Sequence, residues 1–190
     1  MRKMVAFEHL TVDGFASSGQ GIGIEWTFRA YSDELAAYAQ DHIQADFDMA
    51  VYGRETYLGM YGYWGAKDAG DGSEQERKHA TWVNALDKVV VSTTLESADW
   101  NNTRLVKGDL TKVFTELKEQ EGGTIAVYAS PKLVQSLVDL ELIDEYRLVI
   151  HPVVIGSGTP LFKEKSALEL DLLESKAFAS GAVYVRYQVG

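Results

Sequence analysis

Thr124-Ile125-Ala126-Val127-Tyr128-Ala129-Ser130-Pro131-Lys132 is an apolar run of strand length that stops on a serine and a proline. Its hydrophobicity is continuous rather than alternating, the pattern of a strand covered on both faces. Proline suits the first position of a helix, and Leu133, Val134, Leu137 and Val138 then recur on one helical face. A buried strand that turns directly into an amphipathic helix is the building unit of an α/β sheet covered on both sides.

Upstream, Val89-Val90-Val91 ends in Ser92-Thr93-Thr94 and reads as a second fully buried strand, and Met49 to Tyr52 stops at Gly53 before a helical pattern from Arg54 to Tyr63. Ser32 caps a helix predicted over Asp33 to Asp46, with Leu35, Tyr38, Ala39, His42 and Ile43 on one face. Gly65 to Gly72 breaks the pattern as an expected mobile loop. Ser73-Glu74-Gln75-Glu76 then forms a capping box for a helix to about Ala85. Asp109 caps a helix carrying Leu110, Val113, Phe114 and Leu117, closed by Gly122-Gly123. At the N-terminus, Met4 to Val12 reads as a strand before the Asp13-Gly14 turn, followed by a Ser17 to Gly23 loop. The apolar run from Arg147 to Ile155 contains Pro152, which predicts an edge, bulge or bend there. The last segments alternate through Leu168, Leu170 and Leu172 and through Val183, Val185, Tyr187 and Val189 about Ser180-Gly181, an antiparallel hairpin. These elements predict one domain over residues 1–190: a mixed sheet with helices on both faces.

The 190 residues carry 18 Lys and Arg against 28 Asp and Glu, a net charge of -10 that repels a phosphate backbone. Nucleic acid is therefore not an expected partner. The absence of cysteine excludes thiolate catalysis and Cys-ligated metal sites. No apolar stretch approaches the roughly 20 residues that cross a bilayer, and no targeting segment is visible, so a cytoplasmic location is expected.

Ligands of open α/β sheets bind beyond the carboxyl ends of the strands, which makes three strand ends informative. At Gly53-Arg54-Glu55-Thr56 a glycine meets a guanidinium. Ser92-Thr93-Thr94 offers three hydroxyls, and Ala129-Ser130-Pro131-Lys132 again meets a helix start. Each has a purely local reading as a strand stop, turn or cap; together they point to a ligand with several phosphates, such as a dinucleotide. Other motifs are negative. Gly19-Gln20-Gly21-Ile22-Gly23 lacks the spacing and following helix of a phosphate fingerprint and reads as a loop. His9, His42, His79 and His151 lack metal-ligand spacing; His42 and His151 read as structural. Trp26, Tyr63 and Trp64 pack a core or wall a pocket for a flat heterocycle.

Thr11-Val12-Asp13-Gly14-Phe15-Ala16, Tyr52-Gly53-Arg54-Glu55-Thr56-Tyr57, Gly62-Tyr63-Trp64, Lys88 through Thr94, and Leu142 through Tyr146 with His151 through Phe162 form an ordered set. In this set the chain resembles the dihydrofolate-reductase-like proteins grouped with the C-terminal reductase domain of the bacterial riboflavin-biosynthesis deaminase-reductase. The resemblance implies a three-layer α/β/α domain around a mixed, mostly parallel sheet of about eight strands, often a homodimer, with NADPH across the strand ends. It implies that Gly53, Arg54 and Thr56 hold phosphates, that Ser92, Thr93 and Thr94 lie near the 2′-phosphate, that Ala129, Ser130, Lys132 and Leu133 face the diphosphate, and that Asp13 to Ala16 approach the nicotinamide. Relatives usually place glycine where this chain has Ala129, because a Cβ crowds the diphosphate or opposes a positive φ. No zinc-deaminase half with its cysteines is present.

The expected activity is hydride transfer from NADPH to a C=N or C=O carbon of a small heterocyclic or ribityl-bearing substrate bound near Trp26, Tyr63 and Trp64. Asp13 or an ordered water is the expected proton donor. The alternatives are a non-catalytic nucleotide-binding or regulatory module on the same fold, an acidic protein-interaction domain, and a flavin- or pterin-binding enzyme.

Overall fold

The computed structural model describes residues 1–19, 23–65, 72–164 and 167–190. Along the chain run β1 (Met4–Thr11), β2 (Phe15–Ser17), α1 (Asp33–Tyr38), β3 (Phe47–Gly53), α2 (Arg54–Met60), α3 (Glu74–Ala85), β4 (Asp87–Val91) and β5 (Thr103–Val106). There follow α4 (Leu110–Glu119), β6 (Thr124–Tyr128), α5 (Pro131–Asp139), β7 (Glu145–His151), β8 (Thr159–Pro160), β9 (Leu170–Ala177) and β10 (Val183–Val189). Eight strands form one sheet in the order β5-β4-β3-β6-β1-β7-β10-β9. The pairs from β5 to β7 are parallel, and β10 is antiparallel to both β7 and β9. The fold is the dihydrofolate-reductase-like mixed, mostly parallel sheet with its C-terminal hairpin.

Strand alternation divides the core in two. Met4, Ala6 and Leu10 of β1 with Ile125 and Val127 of β6 pack against Phe114 and Leu117 of α4 and Leu133, Val134 and Leu137 of α5. On the opposite face, Val5, Phe7 and Ala126 meet Leu35 of α1, while Ala50, Tyr52 and Val90 meet Tyr57 of α2 and Val83 of α3. The Ser73–Glu76 capping box is formed in both directions, and the Ser32 hydroxyl accepts from Leu35 N at 3.2 Å. No helix among the described residues is long and apolar enough to cross a membrane.

Several expectations need correction. The first strand stops at Thr11, and Val12 is exposed. The helix from Asp33 keeps α geometry only to Tyr38 and closes with a π turn at Ala39–Ile43; the wider turn leaves His42 exposed rather than on the apolar face. The helix from Arg54 likewise passes into a π turn at Tyr61–Gly65. Val91 and Tyr128, at the ends of their strands, are only half-buried. The hairpin's outer strand is Leu170–Ala177, so Leu168 lies before it. β5 escaped the sequence reading because Thr103-Arg104-Leu105-Val106 is a short edge strand with little apolar signal. Pro152 follows β7 directly and ends it. Residues 66–71 of the expected Gly65 to Gly72 loop and residues 20–22 of the Ser17 to Gly23 loop lie outside the described residues.

A buried ion network fixes the register at the amino ends of the central strands. Fully buried Glu145 accepts from Arg147 Nε at 2.8 Å and from Arg186 Nε and Nη2 at 2.7 and 3.0 Å. Arg147 also grips Asp46 at 2.6 and 3.0 Å, and Thr124 Oγ1 donates to the same carboxylate at 2.7 Å. Burial alone would raise the Glu145 pKa; Arg186 and Arg147 outweigh it and hold it below the ordinary value. Removing one partner strands charge in the interior, so Glu145→Leu is expected to cost about 3–5 kcal/mol in urea denaturation. Asp46→Asn should cost clearly less, because Asp46 is exposed.

Candidate functional site: the crevice at β6

The chain leaves β6 for α5 on one face of the sheet, while β1 leads to α1 and β3 to α2 on the other. Connections that depart to opposite faces are the topology in which open α/β sheets place their ligand crevices, which marks the two sides of β6 as the candidate site. The turn there is built tightly. Ala129 and Ser130 have φ of 48° and 72°, both left-handed. Ala129 N donates to Phe7 O at 2.9 Å, and Ser130 Oγ accepts from Gly53 N at 3.0 Å and donates to Tyr128 O at 3.1 Å. The positive φ that favours glycine is thus adopted at position 129 with a Cβ in place.

The strand ends marked in the sequence meet here. Gly53 lies beside the Ser130 hydroxyl, but its φ is -75°, and an added Cβ would sit 3.6 Å from Ser130 Cβ, so neither dihedral nor packing demands glycine. Arg54 is exposed and Thr56 half-buried at the start of α2. Lys132 Nζ spans the β3–β6 side of the crevice to Glu55 at 3.3 Å, an exposed pair. Leu133 is buried beneath the turn. At the end of β4 the buried Ser92 hydroxyl is committed to its own turn, accepting from Thr94 N at 3.1 Å and Leu95 N at 3.0 Å. Thr93 and Thr94 remain exposed.

Asp13 is exposed, and its carboxylate accepts from Gly156 N at 2.8 Å and Ile155 N at 3.4 Å. A hydrogen bond from Thr11 and these amides lower its pKa, which makes it a clamp between two loops and a poor acid at neutral pH. Ala16, on β2, is buried in the α5-side cluster with Leu161.

The aromatic wall takes a different form from the expected one. Trp26 packs edge-on against His151 at 5.5 Å, whereas Trp64 packs on His79 of α3 at 4.6 Å and on Tyr63 at 4.6 Å. The two tryptophans are the ends of a belt of rings across the sheet. From His151 it passes to His9 at 5.0 Å, Phe7 at 5.5 Å, Tyr128 at 5.0 Å and His79 at 6.4 Å. Tyr31 adds a further ring 5.8 Å from His9.

Sequence reasoning missed the histidine pair in that belt. His9 Nδ1 and His151 Nε2 are 2.8 Å apart, and fully buried His151 has no partner for Nδ1 among the described residues. Burial and the neighbouring His151 hold the His9 pKa down to about 3, and burial holds His151 to about 4, so both are neutral at pH 7. Only the parallel β1–β7 register, Thr11 opposite His151, brings residues so distant in sequence together. A groove of about 360 Å³ between Arg77, Lys78 and Trp82 lies along α3.

A mixed, mostly parallel sheet with glycine and hydroxyl groups at the ends of its central strands and an aromatic belt beneath is the framework of an α/β domain that places ligands beyond its strand ends. The chain belongs to the RibD C-terminal domain family, whose profile matches residues 2–184. It is 28% identical over 189 residues to the uncharacterised YyaP of Bacillus subtilis (strain 168), covering 98% of this chain and 94% of that one. In fold it is similar to a putative riboflavin biosynthesis protein from Shewanella sp. PV-4, with a TM-score of 0.77, 19% identity and 99% of each chain covered. It is also similar to the dihydrofolate reductase of Enterococcus faecalis, solved with NADP(H), with a TM-score of 0.64, 8% identity and 99% and 96% coverage.

Two outcomes are expected. Ala129→Gly relieves a left-handed Cβ at a smaller entropic cost in the unfolded chain, so it should stabilise by ~0.5–1 kcal/mol in thermal denaturation. Below pH 6.5 the unfolded chain binds protons that the buried imidazoles refuse. Stability should therefore fall as pH drops from 6.5 through 4, by on the order of 3 kcal/mol from His151. Urea denaturation across that range should show a shallower acid-side slope in His151→Leu.

Proposed function

We propose that the chain is a reductase that binds NADPH along the ends of β4, β3, β6 and β1 and reduces a C=N or C=O bond of a small planar or ribityl-bearing substrate. The observation that carries this reading is the departure of β6 from both neighbours, the topology at which α/β sheets bind ligands, in a domain of reductase-like fold. The donor set suits a phosphorylated dinucleotide. An exposed guanidinium at Arg54 and exposed hydroxyls at Thr93 and Thr94 stand on adjacent strand ends beside the Ala129–Ser130 turn.

When bound, such a cofactor supplies the hydride. The chain's own contribution is to bind, orient and exclude water. Arg54 and Thr56 take phosphate oxygens, Thr93 and Thr94 the 2′-phosphate, and the turn before Leu133 the diphosphate. The Asp13 clamp holds Ala16 against the far end of the site. Trp26, Tyr31 and His9 offer rings to a flat substrate, and the neutral histidine pair repels neither uncharged heterocycles nor cations. Since Asp13 is held as a carboxylate, an ordered water is the better of the two expected proton sources. A homodimer belongs to the same reading, because Leu172 and Leu173 stand exposed on the edge strand β9, suited to a second copy.

Side-by-side titration with NADPH and NADH, followed by tryptophan quenching, tests the reading. NADPH should bind more tightly, and Arg54→Ala should weaken it by ~10–100-fold, the worth of one charge-assisted contact, with a smaller effect on NADH. Binding of neither cofactor would overturn the nucleotide reading. Binding without turnover of any C=N or C=O substrate would favour the non-catalytic module.

A further inference from the structure

Glu8 lies in the interior of β1, 2% exposed. Ala6 and Leu10, its neighbours on the same face, belong to the α5-side core, and across the register it stands opposite Leu148. That cluster also holds Ala16, Leu133 and Leu161. Glu8 Oε1 is fully buried with no hydrogen-bond partner among the described residues. Burial pushes the carboxyl well above its ordinary pKa, and no charged group offsets this. The titratable side chains of the cluster are Tyr146, on β7, and Tyr187, on β10. His9 points to the opposite face. Glu8 is therefore a neutral acid, which costs stability where an apolar residue would not.

Its place gives that cost a use. The β1–β6 pairing runs from Met4↔Ile125 to Phe7↔Tyr128, so Glu8 is the first residue of β1 beyond it, at the mouth of the crevice and next to the residue whose carbonyl holds Ala129. Ala16 and Leu161 on this face come from β2 and the segment after β8, held together by the Phe15↔Pro160 and Ser17↔Thr159 pairs, by Leu161 N donating to Gly14 O at 3.1 Å and by the Asp13 clamp, so they form one cover on this face of the sheet.

We infer that Glu8, with its buried and unpartnered carboxyl oxygen, is the ligand-reading group where β1 leaves β6, and that its carboxyl pairs edge to edge with an amide of the bound ligand. An acid presents an O–H donor beside a C=O acceptor, the complement of an amide's C=O and N–H. This inference rests on the dinucleotide reading above. The amide edge can come from the carboxamide of a nicotinamide cofactor or from the lactam of a heterocyclic substrate.

The test compares wild type, Glu8→Gln and Glu8→Met in fluorescence titrations with NADPH, with 2′-phospho-ADP-ribose, which lacks the nicotinamide, and with 2,4-dioxopteridine, which carries a lactam. Glutamine keeps a donor beside an acceptor and should keep the affinity; methionine should lose about tenfold or more, one buried hydrogen-bonded pair. Loss confined to NADPH assigns the carboxamide, and loss confined to the pteridine assigns the lactam. 2′-Phospho-ADP-ribose should bind all three proteins alike. Equal affinities of wild type and Glu8→Met for NADPH and the pteridine, with the fragment still binding, would overturn this inference alone. Failure of both NADPH and the fragment to bind wild type would overturn the dinucleotide reading and this inference together. Infrared difference spectra of wild type minus Glu8→Gln should show a protonated carboxyl at neutral pH; a carboxylate band instead would overturn the inference. Glu8→Met should also melt higher than wild type, which separates lost affinity from lost folding.

Discussion

The hydrogen bond from Ala129 N to Phe7 O is the last main-chain tie between β6 and β1. Beyond it β6 enters α5 at once, while β1 runs on through β2 before the chain reaches α1 on the opposite face, and what is ascribed to the site follows from that parting. Ala129 and Ser130 take left-handed backbone because β6 must enter α5 within two residues, and the Ser130 hydroxyl then reaches Gly53 and couples the β3 end to the same turn. Glu8 and His9, adjacent in sequence, are left at the mouth of the opening on opposite faces of one strand.

Charge is distributed to match. The chain has a net charge of -10, yet the groups buried near the crevice are held uncharged: Glu8 by burial, His9 by burial and His151, and His151 by burial. Buried charge is concentrated instead toward the amino ends of the strands, where Glu145, Arg147 and Arg186 satisfy one another. Desolvated ions need partners of fixed geometry, and the network supplies them where no ligand has to enter. The ligand end carries neutral hydrogen-bonding groups and rings, which leave room for a ligand to complete the pairing.

Much of the fold was legible because its signals are local. The Ser73–Glu76 box, the Ser32 and Asp109 caps, Pro131 at the start of α5 and the Ser180-Gly181 turn each depend on residues a few positions apart. Of the candidate site, the three strand ends were legible, since apolar runs that stop on Gly, Ser or Thr mark them. β5 was not, because an edge strand is stabilised by its partner rather than by its own composition. Nor were the π turns, which place His42 in solvent by widening one turn of an otherwise regular helix.

The sequence by itself determined which segments are strands and helices, which faces are apolar, and that the family's strand-end residues are present, since hydrophobic period and capping act over a few residues. Tertiary structure alone decided that His9 meets His151, that the tryptophans end a continuous belt of rings rather than share one wall, that Ser92 spends its hydroxyl on its own turn, and that Glu8 Oε1 is left without a hydrogen-bond partner among the described residues. Those outcomes depend on strand order and register, which join residues up to 142 positions apart. Such pairings are set by the summed packing of two faces of a sheet, and no short window of sequence contains them.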